Sequence, residues 1–194
     1  QLVTDAIQQG WKQGDERPCL IRGVTGSGKT QVYMELMEAV IKEGKQVIFL
    51  IPEIALTYQT VMRFYHRFGD KVSVLHSKLS SGERSDQFER AKKGEIQIMI
   101  GPRSALFTPF PNLGLIVMDE EHEMSYKSES MPRYHARETA QFLAKMKGAS
   151  LVLGSATPSL EAYSRAKEGE YQLFTLDRRL TGGTLPAVYT VDLR

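Results

Sequence analysis

One cysteine in 194 residues leaves Cys19 nothing to pair with. An internal disulfide and a cysteine zinc site are both excluded. Cys19 lies in an apolar run and reads as a small buried hydrophobe. A long apolar span is missing, and so is a signal peptide, so the expected location is cytoplasmic with no membrane partner. An excess of one charge is missing as well. Lys and Arg number 25 against 23 Asp and Glu, a net +2. That balance neither demands nor excludes nucleic acid, because a local basic face can sit within it. The single tryptophan, Trp11, falls in a polar connector and reads as a packing residue. The chain shows no repeat and no low-complexity tract. It opens without a methionine and already in helical spacing at Leu2, Ala6 and Ile7, as expected of a fragment of a longer protein.

What is present is a steady alternation of strand-like and helix-like stretches. The length suits one domain with a real core, and the 25% charged fraction suits a globular chain. Apolar runs at 19–22, 46–51, 72–75, 95–100, 115–118, 151–153 and 171–176 read as strands. Helices are expected at 1–9, 30–43, 54–67, 80–92, 134–147 and 159–168. Ser80-x-x-Glu83 is a capping box. This pattern predicts an α/β fold, a mainly parallel sheet with helices on both faces. In such a sheet, ligands sit beyond the carboxyl ends of the strands. The domain is expected over 1–176, with 177–194 as a linker or the start of a connection to a second lobe.

The spacing Gly23-x-x-x-x-Gly28-Lys29-Thr30 is a P-loop. Glycines let successive backbone N–H groups turn inward on a phosphate, and the following helix adds the positive end of its dipole. Gly23, Thr25, Gly26, Ser27 and Gly28 are therefore nucleotide-binding candidates. Lys29 would reach the β- and γ-phosphates, and the Thr30 hydroxyl would hold magnesium. The plainer reading is a glycine-rich strand-to-helix turn without a ligand. At 115–118 a second apolar strand ends in Asp119-Glu120-Glu121-His122. Asp119 can anchor the magnesium shell, and Glu120 can act as general base on water. A solvated polar loop is the alternative there. His122 either couples the nucleotide site to a neighbouring loop or bonds only locally.

Asp-Glu-Glu-His after an apolar strand, with Gly-Ser-Ala-Thr-Pro at 154–158, resembles a superfamily 2 helicase. Longer strings narrow the resemblance: Gly-Val-Thr-Gly-Ser-Gly-Lys-Thr at 23–30, Ile-Pro-Glu-Ile-Ala-Leu-Thr at 51–57 and His-Ser-Lys-Leu-Ser at 76–80. Gly-Pro-Arg-Ser-Ala-Leu-Phe-Thr-Pro-Phe at 101–110 and Tyr-His-Ala-Arg at 134–137 complete them. Together they are similar to the primosomal replication-restart helicases, over essentially the whole chain. The resemblance implies a P-loop NTPase RecA-like lobe, the first of two, in a motor that uses ATP and magnesium to move 3′ to 5′ on DNA. It implies forked and single-stranded DNA, primosome and helicase-loading proteins and single-strand binding protein as partners. Zinc is expected only in a part of such a protein that lies outside this chain. An isolated lobe would hydrolyse ATP barely, because the family's arginine finger comes from the second lobe.

The same resemblance assigns further residues. His122, Ser155 and Thr157 would couple hydrolysis to lobe movement. Gln1 would be the adenine-reading glutamine, although its register is off by about one position. Independently of the resemblance, a proline-bounded loop after a strand places Arg103 to hold a DNA phosphate, with Ser104 adding a hydrogen bond. Residues 123–134 correspond to an aromatic-rich loop that senses DNA. There Tyr126 and Tyr134 would stack bases, while Lys127 and Arg133 would attract the backbone. A tryptophan is expected nearby, and Met131-Pro132 stands in that stretch instead. Two other readings stay open: a nucleotide-dependent DNA-binding switch without motor activity, and a small-molecule kinase.

Overall fold

The computed structural model describes residues 2–179. In it, β1 (Cys19–Gly23), β2 (Gln46–Leu50), β3 (Val72–Val74), β4 (Ile98–Gly101), β5 (Leu113–Met118), β6 (Ser150–Ser155) and β7 (Gln172–Leu176) form one sheet. Its order is β3-β4-β2-β5-β6-β1-β7, and every pairing is parallel. Parallel neighbours need crossovers, supplied by α2 (Lys29–Lys42), α3 (Tyr58–Phe68), α4 (Ser81–Lys92), α5 (Ala136–Lys147) and α6 (Leu160–Lys167), and between β4 and β5 by the 3-10 turn Arg103–Phe107; α1 (Leu2–Lys12) precedes β1.

The strands are apolar throughout because both faces are covered. Successive residues serve opposite cores. Cys19, Ile21, Val47 and Phe49 pack with Ile7 of α1, Leu36 of α2 and Phe64 of α3. Leu20, Ile48 and Leu50 pack with Ala91 of α4, Ala140 of α5 and Ala162 of α6. Trp11 packs against the first core, as a packing residue should. Burial pushes the Cys19 thiol up to about 12.

Caps set several helix starts. Ser80 and Glu83 form the capping box before α4. The helix expected from 54 begins at Tyr58 instead. Thr57 caps it by accepting from the Thr60 N–H, and Glu53–Ala55 forms a separate 3-10 turn behind Pro52. Likewise α5 starts at Ala136 rather than 134, because the His135 ring accepts from the Arg137 N–H. Residues 123–133, expected to be irregular, contain a 3-10 turn at Met124–Tyr126. β7 ends at Leu176; the expected linker from 180 onward, and Gln1, lie outside the described residues.

Because β5, β6 and β1 are adjacent in the sheet, the loops leaving their carboxyl ends gather at one place. These are the phosphate loop, the acidic segment 119–122 and the turn 155–158. The loops after β2 and β4 lie beside them on the same edge.

Candidate functional site

The phosphate loop is shaped by close approaches that only glycine permits. A Cβ on Gly23 would stand 2.5 Å from Ser27 Oγ and 3.3 Å from Lys29 Cγ. Gly28 caps α2 at φ 93°, in the left-handed region where a side chain is strained. Lys29, opening α2, is 8% exposed. Its Nζ donates to the Gly23 carbonyl oxygen at 2.8 Å and lies 3.6 Å from Glu120 Oε1. Ser27 Oγ is buried with no hydrogen-bond partner. An orphaned hydroxyl inside a glycine-rich loop at a helix start suits a ligand rich in acceptor oxygens.

The acidic segment faces that loop across a cleft of about 940 Å³. Residues 24–31 line one side, Asp119 and Glu120 the floor, and Met34 with Arg63, His66 and Arg67 of α3 the outer wall. Tyr33, fully buried on α2, donates its hydroxyl to Asp119 Oδ1 at 3.0 Å. Close packing round its carboxyl, then the charge of Glu120, pushes Asp119 up to about 6. Glu120 has φ 47°, the one non-glycine residue at positive φ among the described residues. With this backbone its carboxylate lies 3.6 Å from Lys29 Nζ.

Asp119 and Thr30 both line the cleft with oxygen donors, and no cluster of three or more His, Cys, Asp or Glu side chains suited to a metal occurs among the described residues. Magnesium commonly takes one or two protein oxygens and completes its shell with phosphate and water, so this donor set fits it. When bound with a nucleotide, the ion would neutralise phosphate charge.

Behind the cleft the segment is tied to the turn after β6. His122 Nδ1 and Ser155 Oγ are 2.7 Å apart, and Ser155 Oγ also accepts from the Thr157 N–H at 3.0 Å. His122 Nδ1 lies 3.7 Å from Glu120 Oε2. The three residues expected to couple hydrolysis thus form one connected set with the candidate base.

Sequence reasoning missed a second tie. Glu121, 1% exposed, accepts from the Ser159 N–H at 2.6 Å and from the Ser159 hydroxyl at 2.9 Å. Arg137 Nη1 lies 3.2 Å from Glu121 Oε2 and donates to Ser159 Oγ at 2.6 Å. A buried ion pair therefore links the loop after β5, the start of α5 and the cap of α6. Its only sequence signal is an arginine among the core-facing alanines of α5 (Ala136, Ala140, Ala144).

The nucleic-acid candidates are reorganised. Tyr126 is 1% exposed, and its hydroxyl donates to the Asp119 carbonyl oxygen at 2.6 Å. It cannot stack a base from there; the turn at 124–126 folds its ring into the second core. Arg103 Nη1 donates to the carbonyl oxygens of Ser125 at 2.6 Å and Lys127 at 3.2 Å, which ties its loop to residues 125–127. Ser104 and Tyr134 are half-buried, while Lys127 and Arg133 are exposed. In the loop after β2, Glu53 accepts from the Ser77 N–H at 3.0 Å.

The sequence profile of the DEAD/DEAH box helicase family matches residues 4–166. The replication restart protein PriA of Bacillus subtilis is 47% identical over 190 residues, covering 98% of this chain and 24% of that protein. The PriA of Haemophilus influenzae is 48% identical over 90% of this chain and 24% of that protein. The chain therefore spans about a quarter of the length of the curated relatives it matches. Among solved structures, the Hef helicase domain of Pyrococcus furiosus superposes with a TM-score of 0.61 at 21% identity, over 89% of this chain and 37% of that one. RecG bound to a three-way DNA junction gives 0.58 at 24% identity, over 86% and 22%. These likenesses establish the fold, a RecA-like α/β domain.

Proposed function

The chain belongs to the DEAD/DEAH box helicase family, and from that premise we propose that it is the ATP-binding and ATP-hydrolysing lobe of a replication-restart DNA helicase. The observation that carries the proposal is the placement of Glu120 at φ 47°, its carboxylate 3.6 Å from the phosphate-loop lysine and beside Asp119. A phosphate loop alone binds; a positioned carboxylate opposite it can hydrolyse. The loop amides, Lys29 and the Ser27 hydroxyl hold the phosphates of ATP. Thr30 and Asp119 hold magnesium, directly or through water. Glu120 accepts the proton of the attacking water as the water oxygen bonds the γ-phosphorus and the bond to the β–γ bridging oxygen breaks, giving ADP and inorganic phosphate. His122, Ser155 and Thr157 carry the change at Glu120 to the turn after β6. The α3 wall leaves room for the nucleoside, and Gln1 reads its adenine.

In this reading residues 1–176 form the first lobe and 177–194 lead to a second. Forked and single-stranded DNA passes the edge that carries Arg103, Ser104, Lys127, Arg133 and Tyr134, and the motor runs 3′ to 5′ at stalled forks in the cytoplasm. Primosome and helicase-loading proteins and single-strand binding protein are its partners, and zinc belongs to another part of the protein. The 47% identity to a replication restart protein supports the restart role.

The test is Glu120→Gln in the full-length protein. ATP should bind as in the wild type while turnover falls about 10²–10⁴-fold, the usual worth of a general base. Unchanged turnover would remove Glu120 from the chemistry. ATP binding with no hydrolysis in the wild type would favour the switch.

A further inference from the structure

On the edge assigned to DNA, the stacking candidate Tyr134 is paired with a second ring, Phe107, that the motif reading did not single out. Phe107 ends the 3-10 turn after β4 and is 54% exposed, whereas its neighbours Leu106 and Thr108 are buried. Nothing in the core uses this ring. It meets Tyr134 edge to face, with centroids 5.4 Å apart and planes at 78°. That arrangement is one the ring quadrupoles favour, so each ring fixes the other although they come from different loops. Arg103 lies beside the Tyr134 hydroxyl, is held in place by the Ser125 and Lys127 carbonyls, and has no carboxylate partner among the described residues. Lys127 and Arg133 are exposed on the adjoining loop, with Glu129 as the opposing charge there.

A rigid, outward-facing aromatic flanked by cations is the arrangement that binds single strands without regard to sequence. Every base has a π face, and the backbone is anionic. We infer that Phe107, buttressed by Tyr134, is a stacking platform for one unpaired base of single-stranded DNA. It supplies the contact that Tyr126, buried in the core, cannot make, and it does so from a different loop. The inference rests on the reading that this edge faces DNA.

The experiment compares binding of a single-stranded oligonucleotide and of an abasic oligonucleotide of equal length, by fluorescence anisotropy. It uses the full-length protein and its Phe107→Ala, Phe107→Leu and Phe107→Trp variants. The wild type should prefer the strand that carries bases by about tenfold, within the range for one stacked base. Phe107→Ala should lose that preference with unchanged affinity for the abasic strand. Phe107→Trp should keep the preference, and Phe107→Leu should lose it. Hydrolysis of ATP without DNA should match the wild type in all three, which shows that the lobe is folded. A preference that survives Phe107→Ala overturns the platform, and so does an equal loss on both strands or recovery by leucine. A wild type that binds neither strand overturns the DNA reading itself, a result distinct from the others.

Discussion

A glutamate at positive φ costs about 1 kcal/mol that an ordinary strand end would not incur. At Glu120 the return is position, since the carboxylate lies 3.6 Å from the phosphate-loop lysine. Function and stability should therefore separate there. Glu120→Gly is expected to leave thermal stability equal or slightly higher while abolishing hydrolysis; a matching loss of both would mean that the conformation is not strained. Asp119 is held by Tyr33, and Tyr33 is held over β6 by the absence of a side chain. A Cβ on Gly154 would fall 1.6 Å from the Tyr33 hydroxyl oxygen. Gly154→Ala should destabilise the lobe by about 1–3 kcal/mol, the usual cost of overpacking. It should also raise the magnesium concentration that hydrolysis needs, by displacing the phenol whose hydrogen bond favours the ionised Asp119. Unfolding curves and magnesium titrations check both parts. Gly23, Lys29, Asp119 and Glu120 were legible as residues because their chemistry is written in local spacing. Tyr33, Glu121 and Arg137 were not, because their partners lie far along the chain and only the fold brings them together.

Between elements, the buried pair of Glu121 and Arg137 joins the loop after β5 to α5 and α6. Removing either partner leaves the other buried without its buried counter-charge: Glu121 keeps only the two Ser159 bonds, and Arg137 keeps only Ser159 Oγ and the partly exposed Glu138. Glu121→Ala or Arg137→Ala should each cost about 3–5 kcal/mol, whereas the double replacement Glu121→Leu with Arg137→Met should cost less than either alone. Additive losses in thermal unfolding would show that the pair is not coupled. Element boundaries were readable where a cap announced them, as at Ser80 and Glu83. They were misread at residues 54 and 134, where Thr57 and His135 start the helices later by side-chain bonds that apolar spacing does not reveal. Tyr126 was misplaced for a related reason. A tyrosine in a polar stretch reads as exposed until a 3-10 turn and a bond to the Asp119 carbonyl carry it inward.

For the whole molecule, strand–helix alternation made a parallel sheet covered on both faces predictable. The order β3-β4-β2-β5-β6-β1-β7 was not, because alternation fixes the class of sheet and leaves strand order to tertiary packing. That order is what matters for function. It sets the phosphate loop, the acidic segment and the turn after β6 on adjacent strands, with the Arg103 loop on the same edge. In the proposed reading, nucleotide and DNA take neighbouring positions on this edge of the sheet and are energetically coupled. The most direct measurement is ATP hydrolysis by the full-length protein with and without forked DNA. Strong stimulation by the fork, abolished by Lys29→Ala, is the predicted result. Hydrolysis indifferent to DNA would contradict the claim, leaving a phosphate-loop enzyme with no motor.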